Sequence, residues 1–170
     1  MRQELDEQLC KNYPKMMVNR DKPMTETCMC WGFDCGDGWF NIINQLMGNI
    51  QNHIDWRAKQ GHVVPQVTLD QVKEKFGTLR FYFHLEYDPV NQELAKKYPE
   101  LQAINKRYAD YIDGVVHFAD VASGRTCEVT GADGEMHVRG GWFKVLNREV
   151  AKIERYQDYT PWSEVKKDAP

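Results

Sequence analysis

The sequence predicts a single-domain α+β fold: a small antiparallel sheet with helices packed on it, and a metal-less hairpin and helix towards the C-terminal end. Three observations carry this expectation. The length, 170 residues, is close to the roughly 150 residues of one domain and long enough to bury a core. Residues 66–86 alternate apolar and polar side chains in two runs with a glycine between them, which marks a β-hairpin. Residues 40–60 and 100–122 repeat apolar positions at three and four, which marks two amphipathic helices.

In chain order, Arg2 to Tyr13 reads as a short helix with Leu5 and Leu9 on one side, ended at Tyr13-Pro14. Met16 to Thr27 reads as irregular connection, with a turn at Asp21-Lys22-Pro23. Trp31 to Trp39 holds three glycines (Gly32, Gly36, Gly38) and two tryptophans, a tight backbone leading into a helix. From Phe40, Ile43, Met47, Ile50 and Ile54 form one stripe with Leu46 beside it, closing near Gly61. Val67 and Leu69, then Leu79, Phe81, Phe83 and Leu85, supply the alternating strand pattern, and Gly77 supplies the turn. After Asp88-Pro89, a short helix at Asn91 to Tyr98 is separated by Pro99 from a longer one. The longer helix carries Leu101, Ile104, Tyr108, Tyr111, Val115 and Phe118 as its expected buried stripe. Thr126 to Val129 and Glu135 to Arg139 are expected strands, Gly140-Gly141 a turn, Asn147 to Tyr156 a short helix, and 157–170 a surface arm.

Composition narrows the function classes. There are 22 Lys+Arg against 25 Asp+Glu and a net charge of −3, which argues against a general polyanion binder, so nucleic acid is not the expected partner. No apolar run exceeds four residues, so no membrane partner is expected, and the first residues lack the apolar stretch of a secretory signal. The cysteines are five (Cys10, Cys28, Cys30, Cys35, Cys127), an odd count that fits reduced thiols in a cytoplasm. Cys28, Cys30 and Cys35 have a spacing unlike paired zinc ligands and read as small buried hydrophobes beside Met29 and Trp31. No Walker loop, G-x-S-x-G, dinucleotide fingerprint or H-E-x-x-H spacing occurs. No catalytic residue, cofactor or metal is therefore assigned.

Three groups of residues are candidates for ligand binding. Asp37, three residues after Asp34 and close to Trp39, either caps the helix that follows or serves a site in the glycine-rich turn. Lys73, Lys75, Arg80 and Tyr82 place cations and an aromatic ring on one hairpin, chemistry suited to phosphate and base stacking and equally to a solvated strand face. Arg139 and Trp142 flank Gly140-Gly141, where a ligand could approach bare backbone, or where Trp142 turns into the core.

Three stretches together carry a resemblance: Met29-Cys30-Trp31-Gly32-Phe33-Asp34-Cys35-Gly36-Asp37-Gly38-Trp39, then Gln71 to Tyr82, then Thr126-Cys127-Glu128-Val129-Thr130-Gly131 with Gly141-Trp142. In this order they resemble a family of small, largely uncharacterised accessory proteins of tailed bacteriophages and prophages, over about residues 9–150. The resemblance implies a gene product acting in the cytoplasm of a bacterial host cell. Many members of the family carry a C-x2-C pair in the third stretch and a C-x2-H or C-x2-C pair after the following Gly-Trp, spacings that fit a four-ligand zinc site. The positions matching them here are Cys127, Thr130, Asn147 and Val150, so 126–156 is expected to be a metal-free remnant of a zinc-ribbon-like hairpin and helix. Burial of Val129, Trp142, Phe143 and Leu146 would then replace the metal, at about 1.5–3 kcal/mol for each buried side chain. The expected function is a non-catalytic accessory protein that counteracts an antiviral defence by binding a nucleotide-type signal or a host defence protein, and a homo-oligomer is compatible with it. A nucleic-acid module derived from a zinc ribbon, or a metal-dependent hydrolase using Asp34 or Asp37, are the alternatives.

Overall fold

Two β-hairpins and two long antiparallel helices organise the chain, as a computed structural model that describes residues 1–165. Strand β1 (Phe33–Asp34), β2 (Gln66–Lys75) and β3 (Thr78–Glu86) form one sheet; β4 (Glu135–Arg139), β5 (Trp142–Leu146) and β6 (Thr160–Pro161) form the other. The helices are α1 (Gln3–Asn12), α2 (Phe40–Lys59), α3 (Pro89–Lys97), α4 (Pro99–Ser123), α5 (Arg148–Ala151) and α6 (Trp162–Val165). The α+β class expected from the sequence is the one observed, with one refinement: β1 joins the antiparallel β2–β3 pair in parallel.

Each hairpin is closed by two residues at positive φ, the geometry that matches strand twist. They are Phe76 (57°) with Gly77 (78°), and Gly140 (53°) with Gly141 (87°). A Cβ at Gly77 would lie 2.4 Å from Met136 Sδ, so a side chain there would displace the end of Met136. The tip of the first hairpin thus rests on the second sheet, and Phe76 meets Phe143 edge-on at 6.5 Å. The main core lies between α2, α4 and the inner face of the first sheet, with Trp39, Ile43, Met47, Ile50, Leu69, Leu79 and Ile112 fully enclosed.

Several expectations are corrected. The buried face of α4 is Tyr108, Ile112, Ala119 and Ser123, whereas Ile104, Tyr111 and Phe118 are exposed. The helix has two adjacent apolar stripes, and only one meets β3 and α2. Residues 126–129 form a tight turn rather than a strand, closed by Gly131 N–H donating to Cys127 O, with one bridge between Thr126 and Asp133. The helix expected at 147–156 is only the single turn of α5, capped by Asn147 accepting from Val150 N–H at 2.8 Å. Val129 and Trp142 are exposed, so Leu146, Val145, Cys127 and Val150 form the buried part of this region instead. The arm is in part structural: β6 pairs with β4, and Trp162 packs edge-on against Phe143 at 5.5 Å. Residues 166–170 of that arm lie outside the described residues.

Candidate binding cleft and the sequence-derived sites

The first hairpin brings its four candidates together. Lys73 stands opposite Arg80, Lys75 opposite Thr78 and Gln71 opposite Tyr82, so by the two-residue strand period all share one face. Lys73 Nζ lies 5.6 Å from the centre of the Tyr82 ring, and Lys75 Nζ lies 5.3 Å from that of Phe76. Arg80 differs, because its guanidinium donates to Asp120 on α4 at 2.9 Å and to the Thr78 hydroxyl. Its charge is already matched, and its first role is to tie β3 to α4.

The glycine-rich turn is a clamp. Trp39 is fully buried and its indole N–H donates to Thr126 O at 2.8 Å, so it cannot stack on a ligand, contrary to expectation. Asp37 does not cap α2, whose N-terminus has no side-chain cap; it accepts the Arg2 backbone N–H at 2.7 Å. Gly36 N–H donates to the Glu128 carboxylate and Gly38 N–H to Glu128 O, both at 2.9 Å. Glu128 is itself 4% exposed and paired with Lys144. At Gly38 the backbones approach so closely that a Cβ would fall 2.2 Å from Cys127 O. This explains the glycine by contact rather than by a ligand.

Cys127, Thr130, Asn147 and Val150 do converge. The Cys127 sulfur is bonded by the Thr130 side chain and by backbone groups of Thr130, Asn147 and Val129. Burial acts to raise its pKa, and these hydrogen bonds together bring it below the ordinary thiol value. Asn147 Nδ2 donates to Thr130 Oγ1 at 3.2 Å, and Val150 packs in the same cluster as Cys127. Among the described residues, no group of three or more His, Cys, Asp or Glu is placed to hold a metal. Of the other cysteines, Cys35 is buried, but Cys28 is exposed and Cys30 half-buried, so only Cys35 is the packed hydrophobe expected. At the second hairpin, Arg139 lies 4.7 Å over the Tyr159 ring, and Trp142 is 71% exposed beside it.

A concavity walled by aromatic rings lies where the sequence reading placed nothing. The C-terminal half of α2, the 60–65 loop and the N-terminal half of α4 enclose a cleft of about 290 Å³. Its wall is an aromatic group around His53, whose ring centre is 4.3 Å from Tyr111, 5.9 Å from Tyr108 and 6.3 Å from Trp56. The rings are fixed from behind: the Tyr108 hydroxyl donates to Pro65 O at 3.2 Å, and the Tyr111 hydroxyl to Asn49 Oδ1 at 2.8 Å. Arg57 and Arg107 line the same cleft, and no carboxylate does. Neither guanidinium makes an ion pair or hydrogen bond among the described residues. Burial, and then the charge of Arg57, lower the pKa of His53, so its ring is neutral near pH 7 and stacks as an aromatic.

A second lobe of about 270 Å³ continues past Arg57 towards α3. Arg57, Val63, Ile104 and Asn105 line both lobes. The only local signals were His53-x-x-Trp56-Arg57 on α2 and Arg107-Tyr108-x-x-Tyr111 on α4. Separately each is an unremarkable helical face; the antiparallel packing of α2 on α4 makes them one surface. Comparison with family profiles, with curated proteins and with solved structures finds no match to this chain.

Proposed function

We propose that the protein is a non-catalytic binding protein for a nucleotide-type anion, held in the cleft between α2 and α4. The observation that carries this reading is the pair of unpaired guanidiniums, Arg57 and Arg107, in a concavity walled by His53, Trp56, Tyr108 and Tyr111. Aromatic faces suit a base, at about 1–3 kcal/mol for each stacked base, and guanidiniums recognise phosphate through paired N–H donors. Arg57 and Arg107 add two positive charges with no acid among the lining residues, so an anion gains more here than at Arg80, which already holds Asp120. The Lys73, Lys75 and Tyr82 face is the second candidate surface for the same ligand class.

The resemblance to phage accessory proteins supplies the setting: a bacterial cytoplasm in which the protein removes a nucleotide signal used in antiviral defence. A second reading, occlusion of a host defence protein, is favoured by one feature. Phe118 is 74% exposed beside an apolar groove of about 240 Å³ between α2 and α4, and such exposed apolar surface marks contact sites.

Thermal unfolding in the presence of nucleotides separates the two. A ligand at 100 times its Kd adds about 2.7 kcal/mol of stability, which for a chain of this size is roughly 5–10 °C. The expected result is such a shift with a nucleotide, lost in Arg57→Ala and in Arg107→Ala while both remain folded. Shifts that survive both substitutions and vanish in Lys73→Ala move the site to the hairpin; no shift with any nucleotide contradicts the proposal.

A further inference from the structure

The two lobes meet at one guanidinium. Arg57 is half-buried on the ridge between them, and each lobe offers apolar surface on its own side. The first lobe has the clustered rings of His53, Trp56 and Tyr111, with His53 tilted against the other two by 37° and 32°. The second is lined by Val90, Leu94 and Leu101, and the carboxylate of Asp88 lies at its edge. Trp56, Val63, Val90, Leu94 and Ile104 are between 41% and 65% exposed. That amount of uncovered apolar surface around a double concavity is costly in water unless something covers it. Each lobe is slightly below the size of an ordinary small-molecule site, roughly 300–1,000 Å³, and the two together fall within that range.

A ligand covering both lobes must pass over Arg57. A group that suits this crossing is an anion, since the guanidinium there has no counter-ion among the described residues. We infer that the ligand is a dinucleotide: two bases, one in each lobe, joined through a phosphate that lies on Arg57. The first base stacks among His53, Trp56 and Tyr111, with Arg107 at its outer edge. The second lies against Val90 and Leu94, where Asp88 accepts from an exocyclic amine or a ribose hydroxyl. Asp88 keeps one carboxylate oxygen for this, because a single oxygen, Oδ1, accepts both Val90 N–H and Asn91 N–H.

This inference rests on the nucleotide reading above and is tested so that the two fail separately. Isothermal titration calorimetry compares AMP and GMP with the 3′,5′-linked dinucleotides ApA and GpG, using the full chain and a Val90→Glu variant. Val90 is 65% exposed, so the substitution puts a charge in the second lobe without disturbing the core, and circular dichroism verifies the fold. The expected result is at least tenfold tighter binding of a dinucleotide than of its mononucleotide, a ratio that Val90→Glu brings down to about one. Equal affinities for the two, or a dinucleotide gain that Val90→Glu leaves intact, overturn the bridging inference and leave the aromatic lobe as a mononucleotide site. Absence of heat with all four ligands overturns the inference and the nucleotide reading together.

Discussion

Replacing Glu128 by Ala removes a side chain that joins the glycine-rich turn to the second hairpin. Its side chain is 6% exposed, that of its partner Lys144 is 25% exposed, and one of its oxygens accepts Gly36 N–H. The substitution leaves the Lys144 ammonium, on a side chain three-quarters buried, with the weaker charge of Glu74 in place of its ion-pair partner, and a backbone N–H without an acceptor. Breaking a buried pair from one side costs about 3–5 kcal/mol. Because Lys144 retains some water, the lower end applies, about 3–4 kcal/mol with the orphaned N–H included. At about 2–4 °C per kcal/mol, the melting temperature falls by roughly 6–16 °C. The double variant Glu128→Gln/Lys144→Met keeps an acceptor for Gly36 and removes both charges, so it recovers most of the loss. Urea unfolding of the two single variants (Glu128→Gln, Lys144→Met), the double variant and the parent gives the coupling energy, expected near 2 kcal/mol. Additive effects within about 0.5 kcal/mol refute the reasoning. The pair also has a pH signature. Burial alone lowers the Lys144 pKa, but the bond to Glu128 and its charge outweigh this and raise it above 10.5. A raised lysine value means the contribution is fully present below about pH 10.5 and is lost as pH climbs through the folded-state value. Parent stability therefore declines more steeply above that pH than stability of Lys144→Met.

Other outcomes follow from the same geometry. Gly38→Ala and Gly114→Ala have opposite signs: the first drives a Cβ to 2.2 Å from Cys127 O, whereas around the second nothing lies within 4 Å. Urea unfolding should show a loss of about 1–3 kcal/mol or more for Gly38→Ala and a gain of about 0.5–1 kcal/mol for Gly114→Ala. Alkylation at pH 8 followed by peptide mass spectrometry should label exposed Cys28 first. Cys35, pushed up to about 12 by burial, and fully enclosed Cys127 should stay unlabelled until unfolding; Cys127 reacting as fast as Cys28 would show that its turn is open. The His53 pKa is lowered by burial and Arg57, so the unfolded chain takes up this proton first and stability is lost as pH falls through about 6.5. His53→Gln should flatten the fall in urea midpoint between about pH 7.5 and 5.5, and an unchanged slope would remove His53 as its source.

What the sequence made legible was local. The hairpin at 66–86, the α2 stripe and the split of α3 from α4 at Pro99 each depend on a period or breaker that needs no distant partner. The shared face of Lys73, Lys75 and Arg80 followed once the two-residue loop at Phe76-Gly77 set the register. The errors lie where tertiary contact decides. On α4, apolar residues occupy more than one face, so spacing could not say that Ile112 is covered and Phe118 is not. Trp39 and Trp142 both sit beside glycines, yet Trp39 meets the 126–131 turn and Trp142 ends at a hairpin tip. The cleft was hidden for a related reason: its cations and rings come from two helices about fifty residues apart, and neither face alone exceeds what an ordinary amphipathic helix shows.

His53 is also the most direct reporter on the central claim, because its ring lies against Tyr111 and its pKa already responds to Arg57. Proton NMR of the histidine ring resonances, titrated with AMP, GMP, ApA and GpG, reads the cleft itself. The account predicts that nucleotide shifts the His53 signals through ring stacking. It also predicts that the added phosphate, by offsetting Arg57, moves the His53 pKa upward. Saturable binding that leaves His53 unchanged while Tyr82 and Lys73 respond would contradict it and place the ligand on the hairpin face.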